Sequence, residues 1–329
     1  MSIKTLQELF GDQAELTASI QRAPVTPGLI AADKIFHEAG ISTTSILIEY
    51  ESGVISLIPS APRGGVGEPY TSPRRDGIHI EAIHLPHTGS VLADEVQDRR
   101  AFGGAALETP EQLKGRKLSA MRCSLESTVE FHRLGAIKGQ ILDADGETIL
   151  HDTYSEFGIS QTEKSLALGT AGSQLLTNVI NAERAAEDAL GGTRPTGFLA
   201  YAAPDFMDAL RAHPDYKTEL QYARPSELGA DYRSCILVGN TWFKEYRTPP
   251  GGNTRIESGT AYMMPLGVPD MFLTRFAPAP WNETVNTPGL PIYAKAQPMP
   301  MDRGFFLEAQ SNPISVCTRP AAVIRLKAN

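Results

Sequence analysis

Cysteine is scarce in this chain. There are three in 329 residues, Cys123, Cys235 and Cys317, each more than 80 positions from the next and none in a C-x-x-C pair. That pattern excludes a disulfide framework and a zinc knuckle and fits a reducing compartment. Long apolar runs are also missing; none approaches the roughly 18–20 residues of a membrane-spanning helix. The opening MSIKTLQELFGDQAEL has no basic segment leading into an apolar one, so no cleaved secretory signal is expected. Positive charge is in deficit: 30 Lys and Arg face 38 Asp and Glu, for a formal net charge of −8. A protein whose main work is gripping nucleic acid carries the opposite balance. With 41% hydrophobic residues and a mean hydropathy of −0.19, the chain reads as ordinary and soluble. It is long enough for about two domains and for a core that needs no staples.

The signatures of chemistry are absent as well. No G-x-x-x-x-G-K-[ST] occurs, no G-x-G-x-x-G joins a strand to a helix, and no G-x-S-x-G is present. RGGVG at 63–67 is glycine-rich and basic, but no helix start follows it to aim amides at a phosphate. His79, His84 and His87 lie within nine residues. On one strand His79 and His84 would point to opposite faces, and no neighbouring cysteine or carboxylate pair completes a tetrahedron. DADGE at 143–147 opens like a calcium loop, yet position 12 is Tyr154 where a glutamate is needed, and the flanks read as strands. Cys123 falls on the helix read at 110–138 and Cys235 and Cys317 in apolar strands, and nothing nominates a histidine partner, so buried inert thiols are expected. No metal, cofactor or catalytic residue is nominated.

What the chain does have is proline and glycine, 24 and 29 residues, clustered at 59–89 and 248–304. Clustering of this kind marks long extended excursions rather than short connections. SILIEY from Ser45 reads as a strand, ESG as a turn and VISLIP as its return. PSAPRGGVGEPYTSPRRDG follows with little to bury, and then IHIEAIHLP reads as a strand again. The whole is a long two-stranded loop with Arg63, Arg74 and Arg75 at its tip. The clearest helix is 110–138: Thr109 offers an N-cap, Pro110 fits N1, and Leu118, Met121, Leu125 and Val129 recur at three- and four-residue steps. At 1.5 Å per residue it is about 43 Å long, a spine. A hairpin with a DADG turn follows it. The stretch 173–190 is a second amphipathic helix stopped by Gly191 and Gly192. GFLAYAA is a strand, and PDFMDALRAHPDYKTELQYA is a helix pair broken at Pro214. RSCILVGNTWFKEYR and TAYMMPLG are strands around the turn TPPGGNTRIESG. RGFFLEAQSN, ISVCT and AAVIRLK close the chain as strands. The helix-like stretch with Leu6, Leu9, Phe10 and Leu16 either docks on its own core or finds its partner on another subunit. The class is α+β, without βαβ alternation and without a repeat of 20–50 residues.

The C-terminal residues 281–326 are the most telling. VNTPGLPIYAK (285–295), EAQSNP (308–313) and CTRP (317–320) resemble the end of the major capsid protein E family, the lambda-like shell proteins of tailed bacteriophages. The matching positions are Asn286, Thr287, Gly289, Leu290, Pro291, Tyr293, Gln310, Ser311, Asn312, Pro313, Cys317, Thr318, Arg319 and Pro320. VTPGLI (25–30) and IEYESGVISLIPSAPRG (48–64) resemble the family's N-terminal part; between the ends the likeness rests on element order.

The resemblance implies the tailed-phage capsid fold of the Hong-Kong-97 type. Its parts would be an N-terminal arm (1–40), an extended loop (41–88), a peripheral domain with the spine helix (89–164, completed by 286–329) and an axial domain (165–285). It implies a structural protein rather than an enzyme, without cofactors. Such a protein assembles in the bacterial host cytoplasm from hexamers and pentamers into an icosahedral shell around packaged double-stranded DNA, first as a rounder precursor. Implied partners are other copies of the chain, a portal and a separate scaffolding protein (no long helical N-terminal extension is present); the resemblance leaves a decoration protein open. Packaged DNA is met without sequence-specific binding, and no membrane is involved. A phage-derived particle or a cellular nanocompartment shell of the same fold is the alternative, and a metal-dependent hydrolase using His79, His84 and His87 the remote one.

Overall fold

The computed structural model describes residues 13–22, 28–51, 75–97, 109–170, 172–222, 235–247 and 256–329. Its first elements are α1 (Gln13–Arg22), α2 (Leu29–Asp33), β1 (His37–Gly40), β2 (Ser45–Glu51), β3 (Arg75–Glu81), β4 (Leu85–Leu92) and α3 (Ala93–Val96). The spine helix α4 (Pro110–Lys138) leads into β5 (Gln140–Leu142), β6 (Ile149–Asp152), α5 (Thr153–Phe157) and β7 (Thr162–Ser165). Then come α6 (Leu175–Leu190), β8 (Gly197–Ala202), α7 (Pro204–Ala212), α8 (Pro214–Tyr222), β9 (Cys235–Val238) and β10 (Thr241–Glu245). The last strands are β11 (Thr260–Leu266), β12 (Phe272–Phe276), β13 (Tyr293–Pro298), β14 (Gly304–Ser311), β15 (Pro313–Cys317) and β16 (Ile324–Lys327).

Helix α4 begins where its capping chemistry says it should. Thr109 Oγ1 accepts the Gln112 amide at 3.3 Å, and Gln112 Oε1 accepts the Thr109 amide at 3.1 Å. This reciprocal box satisfies two donors that a helix start leaves open. The expected stripe is buried at Leu118, Met121, Leu125 and Val129. Cys123, two positions from Met121, faces the other way on a 3.6-residue helix and is exposed. Cys235 is half-buried, so the expectation of buried thiols holds only for Cys317.

The chain divides into two units, the first being residues 1–46, 80–132 and 273–315. Here β14 pairs antiparallel with both β13 and β4. One face of that sheet, with Val91, Ala294, Leu307 and Ala309, packs against the spine stripe and against Leu16 and Ile20 of α1. The described part of the N-terminal segment therefore docks on its own core; Leu6, Leu9 and Phe10 lie outside the described residues. Arg122 of α4 holds the end of α1, donating to Ile20 O at 2.6 Å and to Gln21 O, as a cation at a helix C-terminus should. A second sheet has the order β1-β12-β15.

IHIEAIHLP does not form one strand. β3 pairs with β2 in a two-stranded sheet, whereas β4 belongs with β14. Between them the backbone changes partner: Ala82 donates to Thr44 O at 2.9 Å and Ile83 to Pro313 O at 3.1 Å. VISLIP and the loop tip lie outside the described residues.

The second unit comprises residues 47–79, 133–272 and 316–329. Its six-stranded sheet has the order β7-β16-β11-β8-β10-β9. All six residues of β8 are buried, as expected for a strand covered on both faces. RSCILVGNTWFKEYR is two strands rather than one, β9 and β10 paired antiparallel across Gly239 and Asn240, with Gly239 at φ +63°. β10 and β11 do not pair with each other; they flank β8, β10 parallel and β11 antiparallel. The route from β8 through α7 and α8 to β10 is thus a parallel crossover, which the strand-and-helix pattern alone did not reveal. The other predicted features are present: the 143–148 hairpin turn, the α7–α8 break at Pro214, and the α6 stop, where Gly191 takes φ +63°.

Candidate intersubunit surfaces and the motif loops

The motif residues 286–293 and 310–313 come together in the first unit. Asn286 adopts φ +58°, and Thr287 Oγ1 donates to Thr284 O at 2.8 Å, closing the turn. Gly289 then passes through a gap that admits no side chain. Its amide donates to Ile41 O at 2.9 Å, and a Cβ on it would sit 2.0 Å from Phe276 O. Gly40 meets the same backbone, with a notional Cβ 2.1 Å from Gly289 O. The Leu290 amide donates to Tyr293 Oη at 2.9 Å. Tyr293 packs edge-on against Trp281, with ring centroids 5.7 Å apart. Lys295 Nζ lies 4.2 Å from the Trp281 ring centroid and 2.7 Å from Glu283 Oε1. Ser311 Oγ donates to Pro291 O at 2.7 Å. Asn312 Oδ1 accepts from His84 Nδ1 at 2.7 Å, and its Nδ2 donates to Pro278 O at 3.4 Å. Pro313 supplies the carbonyl that meets Ile83. Gln310 is wholly buried, and neither polar atom of its amide has a hydrogen-bond partner among the described residues.

The CTRP residues lie in the second unit. Burial pushes the Cys317 thiol up to about 12. Thr318 Oγ1 donates to Asp270 O at 2.9 Å, Arg319 Nη1 to Thr193 Oγ1 at 3.1 Å, and Pro320 is buried at the start of a short 3₁₀ turn. The motif positions are therefore mostly chain-routing locks; their side chains close turns and hold backbones.

Of the tip arginines, Arg63 and Arg74 lie outside the described residues, and Arg75 is the first residue of β3. His79, His84 and His87 are exposed, on β3, in the β3–β4 break and on β4 respectively. Among the described residues no group of three or more His, Cys, Asp or Glu is placed to hold a metal ion.

One constellation looks catalytic and is not. Ser173 Oγ is 2.8 Å from His213 Nε2, and His213 Nδ1 is 3.9 Å from Asp215 Oδ2. However, Nδ1 accepts the Asp215 backbone amide at 3.2 Å, so the ring proton is on Nε2, pointing at Ser173. A general base for that serine needs the other tautomer. The Asp215 carboxylate instead caps α6, accepting the Leu175 amide at 3.1 Å. The trio is a helix junction.

Two anchors escape sequence reading. Glu130, 3% exposed on the spine, accepts the Ile30 and Ala31 amides at 2.7 and 3.2 Å and so caps α2. Glu183 of α6 accepts the Asn240 amide at 3.0 Å and the Thr241 hydroxyl at 2.7 Å, fixing the β9–β10 turn. An acidic residue beside an apolar stripe is the one local signal in each case, and it does not name the partner.

A family model described as "Phage major capsid protein E" matches residues 12–328. A curated "Major capsid protein" of Pseudomonas phage KPP10 is 29% identical over 355 residues, covering 99% of each chain. Two solved structures share the fold. A prophage protein of Escherichia coli CFT073, described as a capsid protein, has a TM-score of 0.59 at 15% identity and covers 97% of this chain and 99% of its own. The asymmetric unit of the bacteriophage PhiM1 mature capsid has a TM-score of 0.51 at 12% identity, covering 92% and 88%.

Proposed function

The chain belongs to the phage major capsid protein E family and is a shell subunit of a tailed phage or prophage capsid; from that premise we propose how its parts divide the work. The observation that carries the function is the family match from residue 12 to residue 328 on the capsid fold. Hexamers and pentamers of this chain close an icosahedral shell around double-stranded DNA, joined at assembly by a portal and a separate scaffolding protein. Assembly takes place in the bacterial cytoplasm. The net charge of −8 suits a container that must not grip its contents.

In this scheme 1–40 is an arm, 41–88 a loop reaching onto a neighbour, 89–164 with 286–329 the peripheral domain and 165–285 the axial domain. What supports the loop assignment is that, among the described residues, β2 and β3 pair only with each other. A two-stranded sheet is marginal by itself in water, and β2 leaves Leu47 60% exposed. A neighbouring subunit supplies the missing cover, with Arg63, Arg74 and Arg75 pairing with that neighbour's carboxylates. Closed symmetry multiplies several moderate contacts of this kind into a stable shell. Electron microscopy of the expressed chain, alone and with the adjacent genes of its genome, tests the proposal. Closed shells or rings of five and six are expected; a small uniform oligomer in every combination overturns it.

A further inference from the structure

His213 is the joint between α7 and α8, and its imidazole makes a bond open only to the neutral ring. Its amide donates to Leu210 O at 3.2 Å, closing α7, and its carbonyl accepts the Lys217 amide at 3.2 Å, opening α8. The residue is 2% exposed. Nδ1 accepts the Asp215 amide at 3.2 Å, so the ring itself caps the start of α8, a task ordinarily given to an oxygen of Ser, Thr, Asn or Asp. Nε2 donates to Ser173 Oγ at 2.8 Å. Gln174, at the N-cap of α6, makes no cap bond with its own side chain. Asp215 Oδ2 serves instead, accepting the Leu175 amide at 3.1 Å. That same oxygen lies 3.9 Å from His213 Nδ1, too far for a hydrogen bond. Two helix starts therefore depend on one imidazole and one carboxylate. Among the described residues, Asp215 is the one charged group within ion-pair distance of the ring. On α7, Arg211 is committed to Asp208 and Glu245; on α8, Lys217 is exposed; and residues 175–178 of α6 carry no charge.

We propose that this junction is a proton-operated latch between α6 and the α7–α8 crossover, set by the charge of His213. A proton can enter the ring only at Nδ1, because Nε2 already carries one. There it turns the cap into a donor facing the Asp215 amide, and it sets a positive charge at the start of α8, the helix end that disfavours cations. The new N–H is satisfied by the Asp215 carboxylate, and closing the 3.9 Å gap draws Oδ2 away from the Leu175 amide. One proton thus uncaps α8 directly and α6 through Asp215. The Ser173 bond survives, since Nε2 donates in both states. The folded arrangement accepts the neutral ring, so the latch is closed above the range in which histidine charges and opens as pH falls through it.

Hydrogen exchange of the full-length chain, followed by mass spectrometry at about pH 7.5 and 5.5 and corrected for the intrinsic rate, reads the latch directly. Protection of the 175–178 amides should fall about fivefold or more at the lower pH, the loss that goes with a missing helix cap. Protection of β8, buried along its whole length, should stay the same. His213→Asn keeps an acceptor for the Asp215 amide and takes up no proton in this range, so its protection should not change with pH. Asp215→Asn keeps an oxygen for the Leu175 amide but no charge for the ring, so acid should loosen α8 alone. A wild-type profile flat in pH overturns the inference even where a variant fails to fold. So does a His213→Asn profile with the wild-type dependence, or an Asp215→Asn chain that still loses protection in α6.

Discussion

Gly289 and Gly40 show how a single residue holds this fold. The backbone of 289 lies against Phe276 on one side and against Gly40 on the other, closer than any Cβ allows. Gly289→Ala should therefore displace backbone rather than a side chain, at a cost of about 1–3 kcal/mol or more. Denaturant unfolding checks this, and a midpoint unchanged from the wild type would refute the close approach. The cysteines divide by orientation alone. Cys123 is exposed on the spine helix, while Cys317 is fully buried with its thiol pushed up to about 12. The thiolate is the reactive form. An alkylating reagent at mildly alkaline pH should thus modify Cys123 in the native protein and reach Cys317 only after unfolding; mass mapping of the adducts reads the result.

Among the elements, the end of the spine helix is held by charge. Lys138, its last residue, pairs with Glu257, whose other oxygen accepts Tyr262 Oη at 2.9 Å. Burial works to raise the Glu257 carboxyl, but the hydrogen bond and charge of Lys138 outweigh it, leaving it below its usual 4.5. A carboxyl depressed in the folded state stabilises fully above its unfolded value, and that stabilisation fades as pH falls through the folded value. Lys138→Met should be less stable than the wild type near neutrality, with the gap closing below about pH 4.5 as both carboxyls protonate. Thermal melts across pH 3 to 7 measure it; a gap independent of pH would show that the pair contributes nothing ionic.

At the scale of the whole molecule, the proposal makes the 41–88 loop a part of the subunit that a neighbour completes. Deleting 64–76 should leave a folded, soluble chain, since that Pro-Gly-rich stretch carries few apolar side chains, and should abolish closed shells. Circular dichroism confirms folding and microscopy counts the particles. Normal shells from this deletion would remove the loop from the assembly scheme.

The spine helix was legible to the residue, from Thr109 to Lys138, because a cap and a 3.6-residue stripe are local features read within a few positions. The DADG hairpin, the Pro214 break and the Gly191 stop were legible for the same reason: turn and breaker residues act on their own backbone. The motif residues could be marked as family-like, but not as chain-routing locks, since the lock on Gly289 is made by Phe276 and Gly40, far away along the chain. By itself, then, the sequence determined the spine helix, the other long helices and their stops, the scarcity of reactive groups and the family. Only the tertiary structure decided that β10 and β11 flank β8, that IHIEAIHLP breaks between two sheets, that Glu130 caps α2, and that an exposed methionine stands at a tight turn. Those are choices of partner, and partners are chosen by which edges and faces remain uncovered once the chain has packed, a property that no short window of residues contains.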